Sequence, residues 1–286
     1  MTHDNGYAEP DALVETGWVA AHLHDPSVRL IEADEDVSLY EQGHIQGALK
    51  LNWQVDVQNR ITRDFISRAE FARLLSRWGI SHETTVVFYG DKSNWYACYS
   101  YWLFVYRGHP NARVMNGGRE KWLSERRPLT TEMPGVRPVH YVGLTPDPTI
   151  RAYRTRVLHA LGEPGIALVD VRSPEEYRGE VLSMAAYPQE GAQRPGHIPG
   201  ATSIPWRQAT RPDGTFKTRR ELHDLYVGHD VTPEKQVITY CRIGERSAHT
   251  WFALTQLLGY PDVRNYDGSW TEWGSLVRAP IARGAD

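Results

Sequence analysis

The stretch GHIQGAL at positions 43–49 returns as GHIPGAT at 196–202, a shift of 153 residues. Downstream, FISRAEFARLLSRWGISHETTVVFYG (65–90) lies over FKTRRELHDLYVGHDVTPEKQVITYC (216–241) at a shift of 151. MNGGREKW (115–122) lies over YDGSWTEW (266–273) at the same shift. Upstream, LIEADED from Leu30 matches LVDVRSP from Leu168 at a shift of 138. Blocks recurring in one order at domain spacing mean that the chain is two copies of one unit. The change of shift from 138 to 153 places about 15 extra residues in the second copy, around 182–195. That insertion is rich in Gly, Pro and Ala and reads as a loop.

Within each copy, short β-rich runs (28–31 and 86–89, then 167–171 and 237–240) alternate with amphipathic helical stretches such as 69–78. Such alternation predicts an α/β fold: two tandem domains, each a parallel sheet covered by helices. The stretch 128–148 carries Pro134, Pro138 and Pro146 with Gly135 and Gly143, a linker composition. The expected organisation is a first domain at 1–127, a linker at 128–150 and a second domain at 151–286. A total of 286 residues fits two domains of about 150 each.

Composition narrows the function classes. The chain is 41% hydrophobic and 23% charged, ordinary for a globular protein with a sizeable core. Its net charge of −3 supplies no overall positive field for nucleic acid or an anionic membrane, so any anion site must be local. Its ten Trp and fifteen Tyr read as core and packing residues rather than base-stacking platforms. The opening residues lack a basic start followed by an apolar run, and no later run approaches a membrane span, so the expected compartment is the cytoplasm. Two cysteines, Cys98 and Cys241, with no CxxC and no His/Cys set at zinc spacing, argue against a disulfide framework or a structural metal.

In a parallel sheet, ligands bind beyond the carboxyl ends of the strands. The run 237–240 ends at Cys241, and Arg242-Ile243-Gly244-Glu245-Arg246 forms a short loop before a helical pattern that starts at Ser247. Successive backbone N–H groups in such a loop form an anion nest, and a helix start adds positive potential. Both predict a Cys241 thiol with lowered pKa. Arg242 and Arg246 suit a thiolate and an anionic substrate better than they suit an apolar pocket. Cys98 sits in the aromatic-rich stretch 95–106, aligned with His249, and reads as core. The first copy has Gly90 in place of Cys241 and Trp95 in place of Arg246, yet keeps His44 opposite His197. That pattern makes both histidines turn residues rather than general bases. Gly117-Gly118 and Gly268-Ser269 read as turns near a strand end. A Cys-to-Arg loop after a strand is also a feature of cysteine phosphatases, but those have five intervening residues where this chain has four. The smaller ring suits one sulfur atom rather than a phosphate.

With GHIPGA (196–201), the loop 241–247 and YDGSWTEW (266–273) in this order, the sequence resembles the two-domain rhodanese sulfurtransferases, from about Val28 to Trp273. The resemblance implies an inactive first domain and a catalytic second domain, with Cys241 carrying persulfide sulfur. It implies backbone stabilisation of the persulfide by Ile243, Gly244, Glu245, Arg246 and Ser247, and donor binding by Arg242, Arg246 and the strand-end Arg172. Family members of the animal thiosulfate type often have Lys where this chain has Ile243, Val-Thr where it has Glu245-Arg246, and Arg where it has Glu176. The mercaptopyruvate type typically has Gly or Ser where this chain has Arg242. The implied activity is transfer of sulfane sulfur from thiosulfate to cyanide or a thiol, with no cofactor. The alternatives are a 3-mercaptopyruvate sulfurtransferase, or a persulfide carrier or regulatory module that serves a partner protein. The implied partners are a small anionic sulfur donor and a cyanide, thiol or protein acceptor, with neither nucleic acid nor membrane.

Overall fold

The computed structural model describes residues 6–184 and 191–284 and divides into two compact units. Among the described residues, one unit consists of 11–147 with 212–216, and the other of 6–10, 148–184, 191–211 and 217–284. The segment predicted as a linker, 128–150, is instead held on the first unit as far as Asp147. Thr130 bridges to His44, the Val139 N–H donates to the Ser76 carbonyl, and the Asp147 N–H donates to the Tyr106 carbonyl. Proline-rich composition here marks an extended strap whose hydrogen bonds go to the unit beneath it.

The first unit has strands β1 (Leu13–Val14), β2 (Val28–Glu32), β3 (Leu49–Lys50), β4 (Thr85–Tyr89) and β5 (Ala112–Met115). They form one parallel sheet in the order β1-β5-β4-β2-β3. In the second unit β6 (Arg151–Ala152), β7 (Ile166–Asp170), β8 (Thr202–Ser203), β9 (Gln236–Tyr240) and β10 (Val263–Tyr266) repeat it as β6-β10-β9-β7-β8. All pairings in the second sheet are parallel as well. β4 and β9 are central because their β-branched and aromatic residues suit a strand covered on both faces, and the last four residues of each are buried.

Local signals recur with the strands. Ser67 and Glu70 form a capping box at the start of helix Arg68–Arg77, and Thr218 and Glu221 form the same device at Arg219–Val227. The GHIxGA blocks are turns tied to the sheet: the Ile45 N–H donates to the Tyr89 hydroxyl at 2.9 Å, and the Ile198 N–H to that of Tyr240 at 3.1 Å. His44 stacks on Tyr40 and hydrogen-bonds its carbonyl, and His197 does both with Tyr177. Those partners lie 4 residues apart in the first copy and 20 in the second, so the extra residues fall between Tyr177 and His197. Part of the inserted stretch, 185–190, lies outside the described residues.

Candidate active site

β9 lies between β10 and β7, where the strand order turns back, and Cys241 is the first residue beyond its carboxyl end. The turn from strand to helix is made at Gly244, with φ +98°, and the helix runs Glu245–Phe252, two residues earlier than the Ser247 start read from sequence. A Cβ at Gly244 would stand 2.7 Å from the Cα of Asp267, so only glycine lets the loop pass that backbone. Asp267 is itself fixed by a two-bond pairing with Arg151 at 2.9 and 2.8 Å. Cys241 is anchored from the same side: its N–H donates to Ser269 Oγ at 3.0 Å, and its carbonyl accepts from the Trp270 N–H at 3.0 Å.

Cys241, Glu245, Arg246 and Ser247 are all buried. The Gly244 N–H donates to Cys241 Sγ at 3.2 Å. The Ser247 hydroxyl lies 3.6 Å from the sulfur but 2.6 Å from Asn265 Oδ1, and the Asn265 amide in turn holds the Gly244 carbonyl at 3.0 Å. The Ile243 N–H points instead to Glu245 Oε2 at 3.1 Å. The thiol also donates to that carboxylate oxygen, at 3.1 Å. The Glu245 side chain therefore sits inside the loop, between the sulfur and Arg242, whose Nη2 is 3.1 Å from Oε1.

This arrangement overturns the expected thiol acidity. Burial, and then the Glu245 charge, raise the Cys241 pKa, while Arg246 and the Ser247 backbone pull it down less. Burial also opposes ionisation of Glu245, but Arg242 and Arg246 outweigh it and keep the carboxyl below its ordinary value. The raised pKa keeps the proton on sulfur near neutral pH.

The three arginines read from sequence are placed differently. Arg242 stays at the loop, paired with Glu245. Arg246 is taken up by Glu176 through bonds of 2.7 and 3.1 Å. Burial would raise Glu176, but the Arg246 charge and hydrogen bonds bring it down to about 2. Arg172 does not have the donor-binding placement expected of it. It is 1% exposed, its Nε and Nη2 donate to Asp170 and its Nη2 also to the Gly196 carbonyl, and it stacks on Trp270 at 4.5 Å. Those contacts make Arg172 a brace between β7 and the GHIPGA turn. His249, buried in the helix and lowered to about 3 by burial and Arg207, is neutral near pH 7.

Sequence reasoning missed Glu176 as the partner of Arg246, and missed Ser269, Asn265 and Asp267. The repeated YDGSWTEW block was the signal for Asp267 and Ser269, since a segment kept at constant shift from the loop has a reason to touch it, while Asn265, one residue before the block, and Glu176 had none. The first copy shows the contrast. Gly90 stands for Cys241, its N–H donates to Asn94 Oδ1 at 3.0 Å, and Asn94 stands where Glu245 does. Asp34, next to Asp91 and Glu32, is raised to about 9 by burial and by the Glu32 charge. With glycine at this position and acidic residues around it, the first copy lacks the counterpart of Cys241. Cys98 is buried in helix Trp95–Tyr106, and burial pushes its thiol well above the ordinary range.

Comparison with known proteins agrees with this architecture. The rhodanese-like domain model matches residues 15–125 and again 154–276. The sulfur carrier protein TtuD of Thermus thermophilus is 57% identical over 98% of this chain and 100% of its own. A "Putative thiosulfate sulfurtransferase" of Mycolicibacterium smegmatis is 49% identical over 97% and 100%. Among solved structures, YnjE superposes with a TM-score of 0.85 at 25% identity, over 98% of this chain and 70% of that one. EanB bound to ergothioneine has the same fold, with a TM-score of 0.86 at 24% identity over 98% and 72%. The chain belongs to the rhodanese-like family, with two such domains in tandem.

Proposed function

We propose that this protein is a thiosulfate sulfurtransferase that moves sulfane sulfur through a Cys241 persulfide to cyanide or a thiol. The Cys241 sulfur attacks the outer sulfur of thiosulfate, the S–S bond to the sulfonate sulfur breaks, and sulfite leaves with the bonding pair. The persulfide anion is then held by loop N–H groups at the carboxyl end of β9 and handed to the acceptor. The observation that carries this reading is Cys241 Sγ accepting the Gly244 N–H at the start of a buried helix. Arg242 receives the sulfonate end. Arg246 sets the charge at the helix start through its pair with Glu176.

A second reading, a persulfide carrier for a partner protein, is favoured by the name of the 57% identical relative. It is also favoured by the pairing of both loop arginines with carboxylates, which weakens the pull on a free dianion. A 3-mercaptopyruvate sulfurtransferase is the less favoured enzyme, because that donor gains less from a guanidinium beside the nucleophile. No helix among the described residues is long and apolar enough to cross a membrane, and the cytoplasm is the proposed compartment. Steady-state assay with thiosulfate and cyanide separates the readings. An enzyme turns over many times per site, whereas a carrier loads once and turns over slowly.

A further inference from the structure

The carboxylate inside the loop has no place in the sulfur chemistry as written above, although it touches the reacting atom. Glu245 is 0% exposed, and Oε2 accepts from both the Cys241 thiol and the Ile243 N–H at 3.1 Å. Its other oxygen faces Arg242 Nη2 at 3.1 Å and Arg246 Nε at 3.7 Å. Arg246 is already held by Glu176, while Asp267, behind Gly244, is held by Arg151. Of the two arginines at the carboxylate that bonds the thiol, Arg242 is the nearer, and Arg246 is shared with Glu176.

We infer that Glu245 is the proton shuttle of sulfur loading: it takes the Cys241 proton as an anionic donor draws Arg242 away from it, and delivers that proton to the departing sulfite. An arriving dianion competes with Glu245 for Arg242. Once Arg242 turns to the sulfonate, Glu245 loses its nearest cation and becomes more basic, beside a thiol already hydrogen-bonded to it. The balance closes. Cys–SH and Glu–COO⁻ give Cys–S⁻ and Glu–COOH. The thiolate attacks the outer sulfur, giving Cys–S–S⁻ and SO₃²⁻. Glu–COOH then protonates sulfite to HSO₃⁻, which restores the carboxylate. Donor binding and nucleophile activation become one event, so the sulfur is kept as an inert thiol until an anion arrives.

The inference rests on the sulfurtransferase reading, and its test is built to separate the two. Single-turnover loading of the full-length protein by thiosulfate is followed by intact mass from pH 6 to 9 for wild type, Glu245→Gln and Glu245→Asp. Wild type is expected to load at a rate nearly independent of pH. Glu245→Gln, which can hold the thiol but cannot take its proton, is expected to load at least tenfold more slowly at pH 7, with a rate rising about tenfold per pH unit. Glu245→Asp, with a carboxylate restored, is expected to return to a flat profile at reduced rate. If removing the charge merely frees a more acidic thiol, Glu245→Gln loads as fast as wild type or faster, and the shuttle is wrong. The shuttle is equally wrong if Glu245→Asp shows the slope expected of Glu245→Gln, a comparison that stands even where Glu245→Gln fails to fold. A wild type that gains no sulfur at any pH overturns the sulfurtransferase reading itself.

Discussion

At the scale of single residues, two buried carboxylates decide what the loop arginines can do. Glu176 lies about 2.5 pH units below its ordinary 4.5, because Arg246 stabilises its charged form more than burial penalises it. A depressed carboxyl contributes stability that is fully present above pH 4.5 and is lost as the pH falls to about 2. The surroundings of Glu176, Arg246 foremost among its stabilising partners, therefore contribute on the order of 3 kcal/mol of pH-dependent stability, lost within that window. Replacing Arg246 by Met removes the cation hydrogen-bonded to buried Glu176, leaving only the more distant Arg172, and is expected to destabilise the protein by about 3 kcal/mol, read from urea unfolding at pH 7. The thiol makes the opposite case. Since burial and Glu245 raise Cys241, iodoacetamide, an uncharged reagent that does not engage Arg242, should alkylate it at a rate still climbing above pH 8.5. A rate already level at pH 7 would show a thiolate at rest. The positions of Cys241 and Arg242 were legible in the sequence because they follow a strand. Their charge state was not, because it depends on Glu176 from another element and on which way the Glu245 side chain turns.

At the scale of elements, the loop beyond the carboxyl end of β9 is held by two other segments, the turn after β10 and the helix Pro174–Arg178 after β7. Gly244 is the narrow point, where a methyl group meets the Asp267 backbone at 2.7 Å. Gly200 has a comparable φ of +79°, but nothing stands within 4 Å of its would-be methyl. Alanine at Gly200 should cost about 1–2 kcal/mol for the left-handed conformation alone. Alanine at Gly244 should cost clearly more and also abolish sulfur loading, because the backbone clash displaces the N–H that faces the sulfur. Equal effects from thermal unfolding of the two variants would remove Asp267 as the constraint. Ser269 is also left-handed, with φ +49°, and its counterpart in the first copy is Gly118 at φ +56°. The serine accepts strain at a position where glycine would serve, and its hydroxyl receives the Cys241 N–H. A turn was evident there from Gly268-Ser269, but a sequence does not carry the φ value that aims the hydroxyl at the loop.

At the scale of the whole molecule, one fold appears twice with opposite chemical equipment. Strand positions repeat at the shifts read from the sequence, 138 for β2 and β7 and 151 for β4 and β9, so the architecture was legible almost to the residue. The exceptions are informative. The 128–147 segment has linker composition, but its backbone groups find partners on the first unit. Arg172 follows a strand as a ligand-binding arginine would, yet Asp170, two residues earlier, turns it into a brace. Sequence spacing locates a side chain along the chain but not which of several nearby acceptors wins it. Helix Trp95–Tyr106, with Cys98 inside, shows the same duplication adapted to packing. The Cys98→Ser variant should therefore retain sulfur transfer within about twofold of wild type in the thiosulfate and cyanide assay. Loss of activity in a folded Cys98→Ser protein would mean that the first copy is not inert.

The most direct test of the account is the intact mass of the protein after incubation with thiosulfate, in wild type and in Cys241→Ser. Wild type is expected to gain one sulfur, mapped to Cys241 by peptide analysis and removed by cyanide, and the variant to gain none. A sulfur mapped to Cys98, or a Cys241→Ser protein that still gains one, would contradict it.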